Sequence, residues 1–251
     1  MFEPKTDRIK KLAEIYPERI QELSNIFSGK TNVYLDWSNM YYWSRKLGWH
    51  IDSKRLKQLL SSFSTVVSVN LYTGLLAGNE GSANFIEDAK SYKYTVHTKP
   101  VKIIRLSTDV SGIPQNSPTI LENFIKKPLL LKMNIETIEY LNGKLKDLYE
   151  QGTKYVEMRK CNFDVEIGRD MLLDFDRNNT ETFILWSGDS DFADPVKQLM
   201  NDKKRVFIFS TSRRISVELQ ETNVPIYDIQ KIRNFICEPR EIQEEVKGKL
   251  S

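Results

Sequence analysis

The chain has 251 residues, 40% hydrophobic and 28% charged, which suits one large α/β domain or one domain carrying insertions. No run approaches the roughly 18 consecutive apolar residues of a membrane span, and Met1-Phe-Glu-Pro-Lys5 offers no apolar signal core. Two cysteines, Cys161 and Cys237, are too few for a disulfide framework, so a reduced, cytoplasmic protein is expected.

A net charge of +3 names no partner, but its distribution is uneven. Residues 90–132 hold eight Lys/Arg against two acids, whereas residues 157–194 hold ten acids against four bases. An acidic centre beside a basic segment suits a metal site that meets a polyanion. Solvated faces with segregated charge are the plain alternative.

In chain order, residues 6–29 carry Ile9, Leu12, Ile15, Ile20, Leu23 and Phe27 at helical spacing, interrupted at Pro17 and ended by Ser28-Gly29. This predicts an N-terminal helical extension over 1–30. Asn32 to Asp36 reads as the first strand, and Trp37 to Gly48 as a loop running into a helix. Lys54 to Phe63 is predicted as a helix, Thr65 to Leu76 as a strand, Asn84 to Ser91 as a short helix and Tyr94–Ile104 as a strand. Residues 105–128, with Pro114, Pro118 and Pro128, read as loop, and Ile135 to Tyr149 as a helix stopped near Gly152. Residues 105–153 are therefore taken as a partly helical insertion. After it, Phe163 to Arg177 is a predicted helix and Phe183–Ser187 a buried strand. Asp194-Pro195 supplies an N-cap and first-turn proline for the next helix. The strand Arg205–Ser210, a helix near Ser216–Gln220 and an edge strand Val224–Ile229 follow, with 237–251 expected as a polar tail. The alternation predicts a three-layer α/β/α fold on a parallel sheet, with the main domain over 31–236.

Three apolar-to-acidic junctions recur: Leu35-Asp36, Phe163-Asp164 and Gly188-Asp189-Ser190-Asp191. A parallel sheet brings such positions together at its carboxyl edge, where four Asp would repel one another unless a cation neutralised them. Hard divalent cations prefer oxygen ligands, which points to Mg²⁺ or Mn²⁺; the scattered His and Cys show no zinc spacing. Each residue also has a plainer role. Asp36 could N-cap the next helix, and Asp164 could be first-turn dipole chemistry. Asp170 lies about 120° around the helix from Asp164 and reads as structural. Gly168 shares the face of Asp164 and suits close packing on a strand. Of Trp37, Tyr41, Tyr42, Trp43 and Trp49, at least three are expected in the core, although exposed aromatics there could stack bases. A serine hydrolase built on Ser190 lacks a histidine after His97, a haloacid-type phosphatase wants an Asp where Ser38 stands, and a D-x-S-x-S adhesion site fails at Met40.

Several motifs carry a resemblance. Asp36-Trp-Ser-Asn39 resembles the D-G-x-N opening of the NYN domain. Asn162-Phe-Asp164-Val-Glu-Ile-Gly-Arg-Asp170 resembles its K-G-x-D-V-x-x-x-x-D helix, Ser187-Gly-Asp189-Ser-Asp191-Phe192 matches its S-G-D-S-D-F loop, and Lys203 to Ser210 looks like its next strand. Order and spacing fit the LabA-like branch within the PIN-like nuclease superfamily, over about 31–104 and 155–229. The resemblance implies a Rossmann-like sheet and a metal-dependent ribonuclease using Mg²⁺ or Mn²⁺. It places Asp36, Asp164, Asp189 and Asp191 as catalytic metal ligands, and Asn39 as the group orienting an Asp or a water at the metal. Ser187, Ser190 and Asp170 are second-tier residues. Trp37, in place of a small residue, would narrow the mouth of the site; Cys161 stands where a lysine is common, next to Lys160. Lys99, Lys102, Lys160, Arg213 and Arg214 are the candidate nucleic-acid contacts. RNA is the implied partner, DNA stays open, and a homo-oligomer is a further option. The alternative of another class is an RNA-binding module with a silent nuclease site.

Overall fold

The structure is a computed structural model and describes residues 1–211 and 215–250. It divides into two compact units, Met1–Pro100 with Cys161–Ser251, and Val101–Lys160. The first unit holds a six-stranded sheet. Its strands are β1 (Thr31–Asp36), β2 (Val66–Leu75), β3 (Thr95–Pro100), β6 (Thr182–Trp186), β7 (Arg205–Ser210) and β8 (Ile226–Asp228). The second unit holds β4 (Lys102–Ser107) and β5 (Tyr155–Lys160).

The sheet order is β3-β2-β1-β6-β7-β8, and every neighbouring pair is parallel. Alternate side chains explain why both faces are covered. Val33, Leu35, Ile184, Trp186 and Phe209 point to one face, into a core with Leu12, Leu23, Leu56, Leu59 and Phe235. Tyr34, Phe183, Leu185, Val206 and Ile208 point to the other, against Ile167, Met171, Val196 and Leu199. The predicted α/β/α layering with a parallel sheet is thus what forms. The chain winds outward from β1 to β3, then restarts at β6 beside β1 and winds the other way. That reversal opens a crevice at the carboxyl ends of β1 and β6, where such sheets bind ligands.

Several boundaries differ from expectation. The N-terminal helices Asp7–Ile15 and Pro17–Ile26 are integral to the core, with Leu12 and Leu23 fully buried. Residues 237–250 are no polar tail: Cys237, Ile242 and Val246 are buried, and Glu244–Leu250 is helical. The predicted strand through 94–104 is two strands in different sheets, because Val101 separates β3 from β4. The second unit spans Val101–Lys160 rather than 105–153. There β4 pairs antiparallel with β5, a strand absent from the sequence reading, and Leu121, Leu130 and Ile138 form a small separate core. Its long helix, Ile135–Glu150, is capped by the Asn134 side chain and followed by Gly152 at φ 98. Gly168 faces another helix rather than a strand: a Cβ there would meet Cγ of Pro195 at 3.6 Å. The helix carrying Pro195 begins at Ala193, so Asp194 lies inside its first turn and does not cap it.

Candidate functional site

β1 ends at Asp36 because the helix Trp37–Met40 starts immediately, with the carboxylate as its cap: Asp36 Oδ1 accepts from the Asn39 amide at 3.1 Å. The other oxygen, Oδ2, accepts from the Ser187 hydroxyl at 3.1 Å. Ser187 is fully buried just beyond β6, and its Oγ also accepts from the Asp189 amide at 3.3 Å. One hydroxyl therefore ties the ends of the two switch-point strands together. Asp189 in turn caps the 3-10 turn Ser190–Phe192 by accepting from the Asp191 amide, and the Ser190 hydroxyl donates to Asp189 Oδ1 at 3.4 Å. Both the capping role and the cleft position of Asp36 are real; they are not alternatives.

Asp36, Asn39, Asp164, Asp189 and Ser190 line one open cleft of about 720 Å³. Asp191 is exposed on the adjoining side, where Asp164 and Asp191 share a hydrogen bond. Asp36 is only 4% exposed, and burial, opposed by hydrogen bonds from Asn39 and Ser187, pushes its carboxyl up to about 6. Half-buried Asp164 is pushed up to about 7, first by burial, then by Asp189, the bond to Asp191 and the Asp36 charge. These carboxylates destabilise one another's ionised forms, as mutually facing anions must. Asp36, Asp164 and Asp189 in the cleft and Asp191 beside it offer the oxygen ligands that a hard divalent cation prefers, but no three of them bring their ligand atoms within 4.8 Å of one another.

Asn39 lines the cleft, but its amide oxygen accepts from the Trp43 indole at 2.9 Å, so only its NH₂ end remains to donate. Trp37 does not narrow this cleft. It stacks on Phe85 at 4.9 Å and lines a second cleft of about 640 Å³. Asp170 sits elsewhere, accepting from Tyr72 at 2.9 Å and from Arg169 at 2.7 and 2.9 Å, which ties the helix Asp164–Asn178 to β2. Lys99 reaches Glu166 at 2.6 Å over the Phe163 ring. Lys102 and Lys160 oppose each other across β4 and β5 in the second unit. Arg213 and Arg214 lie outside the described residues.

Tyr42 and Arg45 also line the cleft, and the sequence reading gave Arg45 no role. It also missed a separate set of potential ligands, His50, Glu238 and Glu241, whose ligand atoms lie within 4.8 Å of one another. His50 already bonds Glu241 at 2.7 Å through Nδ1 and 2.6 Å through its amide. Their separation of 191 residues left no local spacing to read.

A doubly wound parallel sheet with carboxylates at its switch point is a Rossmann-type α/β fold, consistent with the PIN-like arrangement. Residues 135–224 match the NYN domain family. The chain is 23% identical over 209 residues to the low amplitude and bright protein LabA of Synechococcus elongatus, covering 81% of this chain and 86% of that one. It also superposes on a crystal structure of a protein of unknown function from Vibrio parahaemolyticus with a TM-score of 0.50 and 15% identity, covering 84% and 96% of the two chains. The motif resemblance is thus matched by the NYN family model over residues 135–224 and by similarity to LabA over most of the chain. The matched segment contains Asp164, Asp189 and Asp191 and begins inside the second unit, whereas Asp36 and Asn39 precede it. Among the described residues no helix is long and apolar enough to cross a membrane.

Proposed function

We propose that the protein is a cytoplasmic, metal-dependent ribonuclease that hydrolyses RNA phosphodiester bonds at the Asp36, Asp164, Asp189 and Asp191 cluster. The observation carrying this reading is the convergence of carboxylates from three chain segments in one cleft, two of them held well above the usual aspartate range. Such an arrangement is unfavourable for a fold alone and favourable around a cation. Mg²⁺ or Mn²⁺ held there would supply Lewis-acid polarisation of a phosphate oxygen and lower the pKa of water.

The chain's own part is positioning. Asp36 is fixed by the Asn39 amide and the Ser187 hydroxyl, and Asp189 by the turn it caps, so neither carboxylate needs to reorganise. The Asn39 NH₂ is left to orient an acceptor in the cleft. Arg45 supplies positive charge at the cleft wall for a phosphate. Lys99 on β3 is a candidate backbone contact for the strand, and Lys102 and Lys160 are candidate nucleic-acid contacts of the second unit by itself. The test is incubation with labelled single- and double-stranded RNA and DNA in Mn²⁺, Mg²⁺ or EDTA. Cleavage of RNA that EDTA abolishes is expected; binding without cleavage in any divalent metal would instead favour a silent RNA-binding module.

A further inference from the structure

The short segment after Asp36 sorts its aromatics sharply. Trp43 and Trp49 are 1% exposed, and Trp37 is half-buried on Phe85. Tyr41 and Tyr42, in contrast, are 68% and 48% exposed. They sit on the 3-10 turn Tyr41–Trp43, which is pinned by buried Met40 and by the Trp43 indole bond to Asn39. The two rings meet edge to face at 5.5 Å, and the Arg45 guanidinium lies 5.7 Å from the Tyr42 ring centre. A single exposed aromatic needs no explanation. Tyr42 sits on this turn and shares a cleft wall with Asp36, Asp164 and Asp189. Arg45 lines both this cleft and the second one, where Tyr41, Trp37 and Phe85 continue the aromatic surface.

We propose that Tyr42, backed by Tyr41 and Arg45, is a stacking subsite for an unpaired nucleobase, and that the strand leaves the carboxylate cleft over Arg45 into the second cleft. The inference rests on the nuclease reading of the cleft and adds to it the residues that would hold an unpaired base. An aromatic face beside a cation accepts any base, because every base has a π-face, and it rejects a duplex, whose bases are already stacked. Arg45 would meet the phosphate between the two clefts. Recognition would be tolerant of sequence and demanding of strandedness.

The test is fluorescence anisotropy in EDTA and in Ca²⁺ with a short fluorescein-labelled oligouridylate, its deoxy counterpart, an abasic strand of equal length and an RNA duplex. Tyr42→Leu should weaken binding of both base-bearing single strands about ten- to hundredfold, the range of base–aromatic stacking. It should leave the abasic strand and the duplex unchanged, and Tyr42→Trp should retain tight binding. Arg45→Gln should weaken every strand. Melting curves of Tyr42→Phe and Tyr42→Leu separate a lost contact from a lost fold. Equal oligouridylate binding by the parent and Tyr42→Leu, or no binding by the parent, overturns the subsite. Mn²⁺-dependent cleavage with Tyr42-independent binding would leave the nuclease reading standing and remove the subsite. Tyr42-dependent binding without cleavage would do the reverse.

Discussion

Asp36→Asn separates the electrostatics of the site from its activity. The replacement is nearly isosteric, and Asn is as good a helix cap as Asp, so the bond from the Asn39 amide survives. The Ser187 hydroxyl, which now donates to Asp36, can accept from the new NH₂ instead. What changes is the charge. Raising an aspartate from its ordinary value of about 3.9 to about 6 corresponds to about 3 kcal/mol, at 1.36 kcal/mol for each tenfold change in proton affinity. The direction follows from proton counting: between about pH 4 and pH 6 the folded parent binds more protons than its unfolded chain, so metal-free stability falls as pH rises through that window. Asp164 acts in the same sense up to about 7. Asp36→Asn lacks its share of that loss. In EDTA its advantage should be small near about pH 4 and reach about 1–3 kcal/mol above about pH 7, allowing for relaxation of the site, or roughly 3–10 °C in Tm. Thermal melting of both proteins across this range is the assay. An advantage independent of pH, or a variant that melts below the parent near about pH 8, would refute the assignment of Asp36 as a carboxylate destabilised by burial.

Metal should favour the parent over variants that lack one of these carboxylates. Mg²⁺ or Mn²⁺ at about ten times Kd should stabilise the parent by roughly 1.4 kcal/mol and Asp189→Asn clearly less; equal shifts in differential scanning fluorimetry would contradict a carboxylate site. Gly168→Ala should raise Tm by a few degrees, because a helix-interior glycine costs about 1 kcal/mol and the new methyl meets Pro195 at an ordinary 3.6 Å; a drop on melting would mean the two helices pack closer than this. Replacing residues 101–160 by a Gly/Ser linker should leave the first unit folded by circular dichroism while changing substrate range or oligomer size, since each unit has its own core.

How much was legible depended on whether a residue's role is set locally. The strands ending at Asp36 and Trp186 were readable because apolar runs stop abruptly at polar loops, and the alternating helices then required a parallel sheet. Their placement side by side followed from topology. The C-terminal helix was misread because Glu244–Leu250 is mostly charged; Ile242, Val246 and Leu250 pack on the core, and the helix meets Asp7–Ile15, more than 200 positions away. β5 was invisible because all six of its residues are exposed, so no buried face imposed a period on the sequence. Trp37 was assigned to the mouth of the site from its adjacency to Asp36, yet the helical turn it opens points it at Phe85. Arg45 reaches the cleft through two successive helical turns and a 3-10 turn, whose combined direction no single-residue rule supplies.

The most direct test of the central claim is the cleavage of labelled single-stranded RNA in Mn²⁺ by the parent and by Asp189→Asn, at equal protein and metal and with both shown to be folded. The account predicts cleavage by the parent that stops on chelation, and none by the variant above background. Cleavage by Asp189→Asn at the parent's rate would contradict it.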